Sequence, residues 1–331
     1  MNDIPLYPLR FEPIYQYRLW GGRRLAGLLS APLPGDGPIG EAWLLSDRKD
    51  HSSLVAEGPL KGSTIEQLIS RSPEEMLGPL AGHFSRFPLL LKFLDVQKTL
   101  SVQVHPPDAF AELIPAGETG KTESWVVLET GPKAQIYAGL PSGTTAEVLR
   151  DALAQGTVAD HLASFSPRIG DGVFIRSGTV HSLSDVVVFE AQENSDVTFR
   201  LYDWDHIDPQ TKQKRPLQID QALACINYTQ GVIAPVIPQI DELWRGPWEK
   251  LVHCDHFSIH RICTEFPFVG GAEGACRVLV CLEGKGELKH GGQHYLLSTG
   301  DVLLLPAVVG PCPCQPNGDL TLLEISLPEI L

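Results

Sequence analysis

No stretch of this sequence is long and apolar enough to cross a bilayer. Apolar runs such as LLLPAVV at Leu303 to Val309 fall well short of the roughly 20 residues a membrane helix needs. The amino terminus, MNDIPLYPLRFEPIYQ, lacks the basic start, apolar centre and small-residue cleavage site of a secretory leader, so a cytoplasmic location is expected. Positive charge is scarce, with 26 Lys and Arg against 40 Asp and Glu, a formal net charge of -14. That balance argues against nucleic acid or an anionic membrane as a partner, because both are bound through phosphate neutralisation by Lys and Arg. It leaves a small anionic ligand open, since a pocket needs only a few local cations.

Cysteine is sparse and its pattern is not that of a disulfide framework. The seven are odd in number and lie in the last third, at Cys225, Cys254, Cys263, Cys276, Cys281, Cys312 and Cys314. Reduced, buried thiols are the expectation. The CPC at Cys312 to Cys314 looks like part of a metal site, but no second close pair accompanies it.

Also missing is any regular alternation of helices with strands, which favours an antiparallel sandwich or barrel over a doubly wound sheet. What is present is a series of short β-like runs punctuated by 31 Gly and 27 Pro. Strands are expected at PLLLKFLD, LSVQVH, SWVVLE, AQIYAGL, GVFIR, VVVFEA and VTFRLYD. A second set, FSIHRICTEF, CRVLVCLEG, GELKHGG, HYLLS, DVLLLPA and LTLLEISL, fills the region from Phe257 to Leu327. Helices are expected behind a Ser63 or Thr64 cap, behind a Thr144 to Glu147 capping box ending at Gly156, and near Pro216. The proline-rich GVIAPVIPQIDELWRGP reads as a connection. The expected organisation is therefore a first β unit over 1–230, a linker over 231–247 and a second β unit over 248–331. IGDGVFIRSGTVHSL and STGDVLLLPAVVGPC echo one another, and only the first contains a histidine, which suggests two related barrels with the site in one.

The chemistry concentrates in SVQVHPPD. Alternation along a strand puts Ser101, Gln103 and His105 on one face and Leu100, Val102 and Val104 on the other. A hydroxyl, an amide and an imidazole together are costly to bury unless they bind something. GKTESW adds Lys121 and Glu123, and SGTVHSL adds His181 after a glycine turn. Two histidines and a carboxylate from three strands suit a divalent metal, with Gln103 as a fourth, oxygen ligand. In NSDVTFRLYDWD, Thr198, Arg200 and Tyr202 share a face. An inward Arg200 calls either for an anionic or polyhydroxyl ligand or for a salt bridge to Asp203 or Glu190.

Taken in order, LWGGRRL, IGEAWLLSD, FPLLLKFLDVQKTLSVQVHPPD, GKTESWVVLE, SGTVHSL and QENSDVTFRLYDWD resemble the type I mannose-6-phosphate isomerases in their short bacterial form, a cupin family, nearly end to end. The resemblance implies a mainly β fold of two cupin-type jelly-roll barrels with a few short helices, the second barrel degenerate. It implies one zinc ion per chain held by His105, Glu123 and His181 with Gln103. It also implies a catalytic role for Arg200 and phosphate binding by Ser101 and Lys121. The implied reaction interconverts mannose 6-phosphate and fructose 6-phosphate. The sequence departs from the family pattern at Arg176, where proline is favoured, and at Leu44, where an acidic residue is common. The partner is then a sugar phosphate, and a paired-barrel chain is expected to act as a monomer. Two other readings use the same residues: an iron(II) oxygenase on a cupin barrel, and a non-catalytic sugar-binding bicupin.

Overall fold

The computed structural model describes residues 4–240 and 248–328. Strands dominate, and most lie in two nine-stranded antiparallel sheets. Neighbour to neighbour, the first sheet runs Gly172–Ile175, Glu123–Ala138, His181–Glu193, Leu89–Val96, Ile14–Gly22 and Ile39–Leu45. Val102–Val104 pairs with both His181–Glu193 and Phe199–Tyr202 at its side. The main path of the second sheet is Leu9–Arg10, Val302–Leu305, Arg277–His290, Cys312–Ser326, Ser258–Thr264, Trp248–His253 and Gln239–Ile240. This is the expected mainly β architecture of two cupin-type units with a few short helices. Among the described residues, no helix is long and apolar enough to cross a membrane.

The chain's first strand belongs to the second sheet, with Leu9 opposite Leu304 and Arg10 opposite Leu303. Arg10 also forms an ion pair with Asp301 at 2.5 Å. Of the expected connection over 231–247, residues 241–247 lie outside the described ones. Of the rest, Ile233 and Val236 donate backbone hydrogen bonds to Ala138 and Gly172 of the first sheet, and Gln239–Ile240 already pairs in the second.

Two pairs of expected strands are each one long strand. SWVVLE and AQIYAGL merge in Glu123–Ala138 because the intervening TGPK forms no turn. The partner strand takes up the irregularity, shifting register between Ser184 and Val186, and Asp185 there accepts from Lys133 N–H at 3.0 Å. CRVLVCLEG and GELKHGG likewise merge in Arg277–His290. Gly284 has φ of 88°, and a Cβ there would meet the Asp319 carbonyl at 2.1 Å, so the glycine serves a bulge within a strand.

The helices are short and capped much as expected. Ile65–Arg71 starts with a capping box between Thr64 and Gln67. Ala146–Gln155 is capped one residue later than expected, by Thr145, whose hydroxyl accepts from Val148 N–H at 3.3 Å; its stop at Gly156 is as expected. The helix near Pro216 is Ile219–Cys225.

A single apolar cluster joins the two sheets, bringing Leu91, Phe93 and Phe189 of the first together with Phe257, Val278 and Leu323 of the second. Each sheet also lines a cluster of its own, around Trp125 and Val188 in the first and Leu279 and Leu322 in the second. The first sheet's strands are thus fixed on both sides, which holds their polar end residues in place.

Candidate metal centre and adjoining pocket

Three side chains converge from three strands. Glu123 opens Glu123–Ala138, His181 opens His181–Glu193, and His105 directly follows Val102–Val104. Val102 and Val104 are fully buried on the opposite face, as the alternation requires. The two prolines after His105 stop the ladder, since proline has no N–H to extend it. The chain end they leave is tied on both sides: His105 C=O accepts from Gly178 N–H at 2.7 Å, and Pro106 C=O accepts from Lys121 N–H at 3.3 Å. Gly178 has φ of 84°, a conformation that favours glycine, and its turn delivers His181.

Each imidazole is fixed through its Nδ1. His105 Nδ1 lies 2.7 Å from Val197 C=O, and His181 Nδ1 lies 2.9 Å from Thr179 C=O. A carbonyl only accepts, so Nδ1 carries the proton in both and each Nε2 presents its lone pair inward. These Nε2 atoms lie 3.3 Å from the two oxygens of the same carboxylate, His105 from Glu123 Oε2 and His181 from Glu123 Oε1. The candidate donor atoms all lie within 4.8 Å of one another, and the three residues are buried. Glu123 Oε1 has no hydrogen-bond partner.

The electrostatics match this donor set. Burial, reinforced by Lys121, lowers His105 to about 4. Burial also lowers His181. Both rings are therefore neutral at pH 7. Burial opposes the Glu123 charge, but the Lys121 ammonium outweighs it and holds the carboxyl well below its ordinary value. Two neutral nitrogen lone pairs and one carboxylate, closely grouped with a buried oxygen left over, form a donor set that fits a divalent cation.

Gln103 stands opposite His181 in register, and its Nε2 is 3.1 Å from His181 Nε2. Its Oε1 accepts from Ser101 Oγ at 3.2 Å, so ligation by that oxygen requires a half-turn of the amide. Lys121 Nζ contacts Glu123 Oε2 and lies 3.0 Å from His105 Nε2. Ser101 is fully buried and does not line the cavity. Its hydroxyl also accepts from Arg200 Nε at 3.3 Å, linking Gln103 to Arg200.

Beside the triad lies a pocket of about 420 Å³. Its walls carry five cations, Arg18, Lys92, Lys121, Arg200 and Arg215, and four carboxylates, Glu41, Glu123, Glu190 and Asp196. Lys92 is buried 3.0 Å from Glu190, whose other oxygen accepts from Trp125 Nε1 at 2.8 Å. Burial disfavours the Lys92 charge, but Glu190 and Glu41 outweigh it and raise its pKa. Glu41, lowered to about 2 by Lys92 and Arg18 against the cost of burial, also accepts from Trp43 and Arg18. Arg200 makes no ion pair with a described residue. Asp203 is bound to Arg215, and Glu190 to Lys92. Burial and the neighbouring Arg215 lower the Arg200 guanidinium to about 10.

Several expectations resolve differently. Tyr202 leaves the face of Thr198 and Arg200, because the register shifts between Arg200 and Tyr202; its ring packs 5.3 Å from Trp204. Arg23 and Arg24, the paired cations of LWGGRRL, do not reach the pocket. Arg23 donates to the carbonyls of Leu33, Pro34 and Gly37, and Arg24 pairs with Asp95 at 2.8 Å. Arg176 stacks over Phe174 at 5.5 Å, and Leu44 is buried in the core shared by the sheets. The CPC thiols lie in the second unit's apolar cluster, where burial raises Cys312 to about 11 and Cys314 to about 12. Among the described residues, His105, Glu123 and His181 form the one group of three metal-ligand side chains that converge.

Sequence reasoning missed Arg18 and Arg215. Arg18 shares a strand with Trp20, also in the pocket wall, so the alternation of RLW was an available signal. Arg215 follows an irregular loop, DHIDPQTKQK, that carries no period to read.

Comparison with known proteins identifies the family. The model of the phosphomannose isomerase type I catalytic domain matches residues 9–124. The chain is 32% identical over 317 residues to the mannose-6-phosphate isomerase ManA of Bacillus subtilis, covering 92% of this chain and 94% of that protein. It is 32% identical over 318 residues to a mannose-6-phosphate isomerase of Streptococcus mutans, covering 96% and 97%. The crystal structure of the mannose 6-phosphate isomerase from Bacillus subtilis superposes with a TM-score of 0.87 at 28% identity, covering 97% of this chain and 99% of that one. On sequence and fold, the chain belongs to the type I mannose-6-phosphate isomerases.

Proposed function

We propose that this chain interconverts mannose 6-phosphate and fructose 6-phosphate at a zinc ion held by His105, Glu123 and His181, with Gln103 as a fourth ligand after its amide turns. The observation that carries the reading is the meeting of this donor set with a strongly charged pocket of about 420 Å³. That volume suits a small polar ligand. When bound, zinc supplies a Lewis acid without redox chemistry.

The rest is the work of the chain's own residues. Moving a proton between C1 and C2 of the sugar develops negative charge on the adjoining oxygens. Lys121, held against Glu123 and His105, is placed to donate to one of them. Arg200, free of a carboxylate partner, its guanidinium oriented by Ser101 and the Pro216 carbonyl and its backbone N–H held by Gln218, stabilises the same charge. Arg18 and Arg215, on the same pocket wall set, are suited to a phosphate, so that binding at the unreactive end orients the sugar. Ser101 acts through Gln103 and Arg200, being buried away from the cavity.

Family membership favours isomerisation over the oxygenase reading, and the ordered donor set favours catalysis over sugar binding alone. A coupled assay that follows fructose 6-phosphate formed from mannose 6-phosphate tests the substrate. Turnover supports the proposal; binding without turnover, or oxygen uptake in its place, rejects it.

A further inference from the structure

The second sheet reaches back to the segment that carries Lys121 and Glu123. The turn between Trp248–His253 and Ser258–Thr264 is closed by Cys254 N–H donating to Phe257 C=O at 3.0 Å, and Phe257 is fully buried in the core shared by both sheets. On this anchored turn, His256 Nδ1 lies 3.2 Å from Glu193 Oε2. The other oxygen, Glu193 Oε1, accepts from Thr122 N–H at 2.6 Å. Glu193 N–H in turn donates to Thr122 C=O at 3.1 Å. Glu193 therefore grips Thr122 on both sides, and Thr122 stands between Lys121 and Glu123 in the chain. Glu193 also ends the strand that His181 begins.

A carboxylate held by one hydrogen bond can swing about its own axis; a second contact on its other oxygen fixes its plane. We propose that His256 is a positioning residue for the metal centre: it pins the Glu193 carboxylate, which sets the Thr122 backbone and with it the directions of Lys121 and Glu123. The second sheet then takes part in the chemistry of the first. A merely structural surface pair is the competing account, and its contribution to stability is small. This inference rests on the metal reading of His105, Glu123 and His181.

The test uses the full chain with His256→Ala and His256→Asn, the asparagine amide offering a donor near the place of Nδ1. The His256 side chain is only 34% exposed, so asparagine beside alanine separates the lost contact from lost packing. Zinc affinity is read by competition with a chromophoric chelator, and kcat and KM are read with mannose 6-phosphate. The expected result is zinc binding weaker by about 10-fold in His256→Ala, a similar fall in kcat with KM little changed, and recovery of both in His256→Asn. Parental zinc affinity and kcat in His256→Ala overturn the proposal, whatever happens to its melting temperature. So does an asparagine variant no better than alanine. If the parent chain binds zinc but does not turn over mannose 6-phosphate, the isomerase reading fails, and the zinc competition still decides the role of His256.

Discussion

His105 and His181 sit with their ring centroids 4.8 Å apart, and each gives its Nδ1 proton to a main-chain carbonyl, Val197 for one and Thr179 for the other. Both remaining nitrogens are thereby committed to the same side, where Glu123 lies. Backbone geometry, set by two strand ends and a glycine turn, prepares the donor set before any ligand arrives.

Glu123→Gln keeps the shape of this centre and removes its only ligand charge. Zinc content after gel filtration is expected to fall, with affinity reduced by at least about 100-fold and isomerase activity falling with it. Parental metal content in this variant would contradict the ligand assignment.

Arg200→Ala removes a cation that touches no triad residue. Activity is expected to drop by about 100-fold or more while zinc content stays at the parental level. Arg200→Lys should recover little, because an ammonium cannot reproduce the separate Nε and Nη1 contacts to Ser101 and Pro216. Metal analysis beside the coupled assay separates this outcome from a disrupted ligand set.

The two imidazoles make the metal-free chain sensitive to mild acid. His105 is held at about 4 and His181 is lowered too, whereas in the unfolded chain both take up a proton near about 6.5. Between those values the unfolded chain binds more protons than the folded one, so stability falls as pH drops from about 6.5 toward 4. The lowered Glu123 carboxyl extends the loss in the same direction at lower pH. Urea midpoints measured across this range should decline, and the decline should lessen in a variant with both histidines replaced by glutamine.

Lys92 sits between two buried carboxylates, Glu190 at 3.0 Å and Glu41. Lys92→Met fills similar space but takes from Glu190 its closest cation and leaves Glu41 with Arg18 alone. A loss of about 3 kcal/mol or more in unfolding free energy is expected, since removing one partner leaves a buried charge without compensation. Replacing all three with uncharged residues should cost less than the single change, and denaturant unfolding measures both.

Much of the site was legible because β alternation is a strong local rule. It grouped Ser101, Gln103 and His105, and it pointed Arg200 to the polar side. The rule failed where the backbone broke its own period: at the register shift that turned Tyr202 away, and at Gly131 and Gly284, where turn-forming residues serve bulges inside long strands. Arg18 and Arg215 reach the pocket through tertiary placement. The loop before Arg215 says little about it, the alternation shared with Trp20 is the one local signal for Arg18, and the fates of Arg23 and Arg24, absorbed by carbonyls and Asp95, show how little an arginine pair alone implies. The contact between His256 and Glu193 depends on how the two sheets pack, which no local pattern encodes.

Metal dependence tests the central claim most directly. The chain is stripped with a chelator, freed of it, and assayed with mannose 6-phosphate while zinc is titrated back. The account predicts negligible activity in the stripped chain and full recovery at one zinc per chain, with no recovery in a His181→Ala variant. Undiminished isomerase activity in the stripped chain would contradict it.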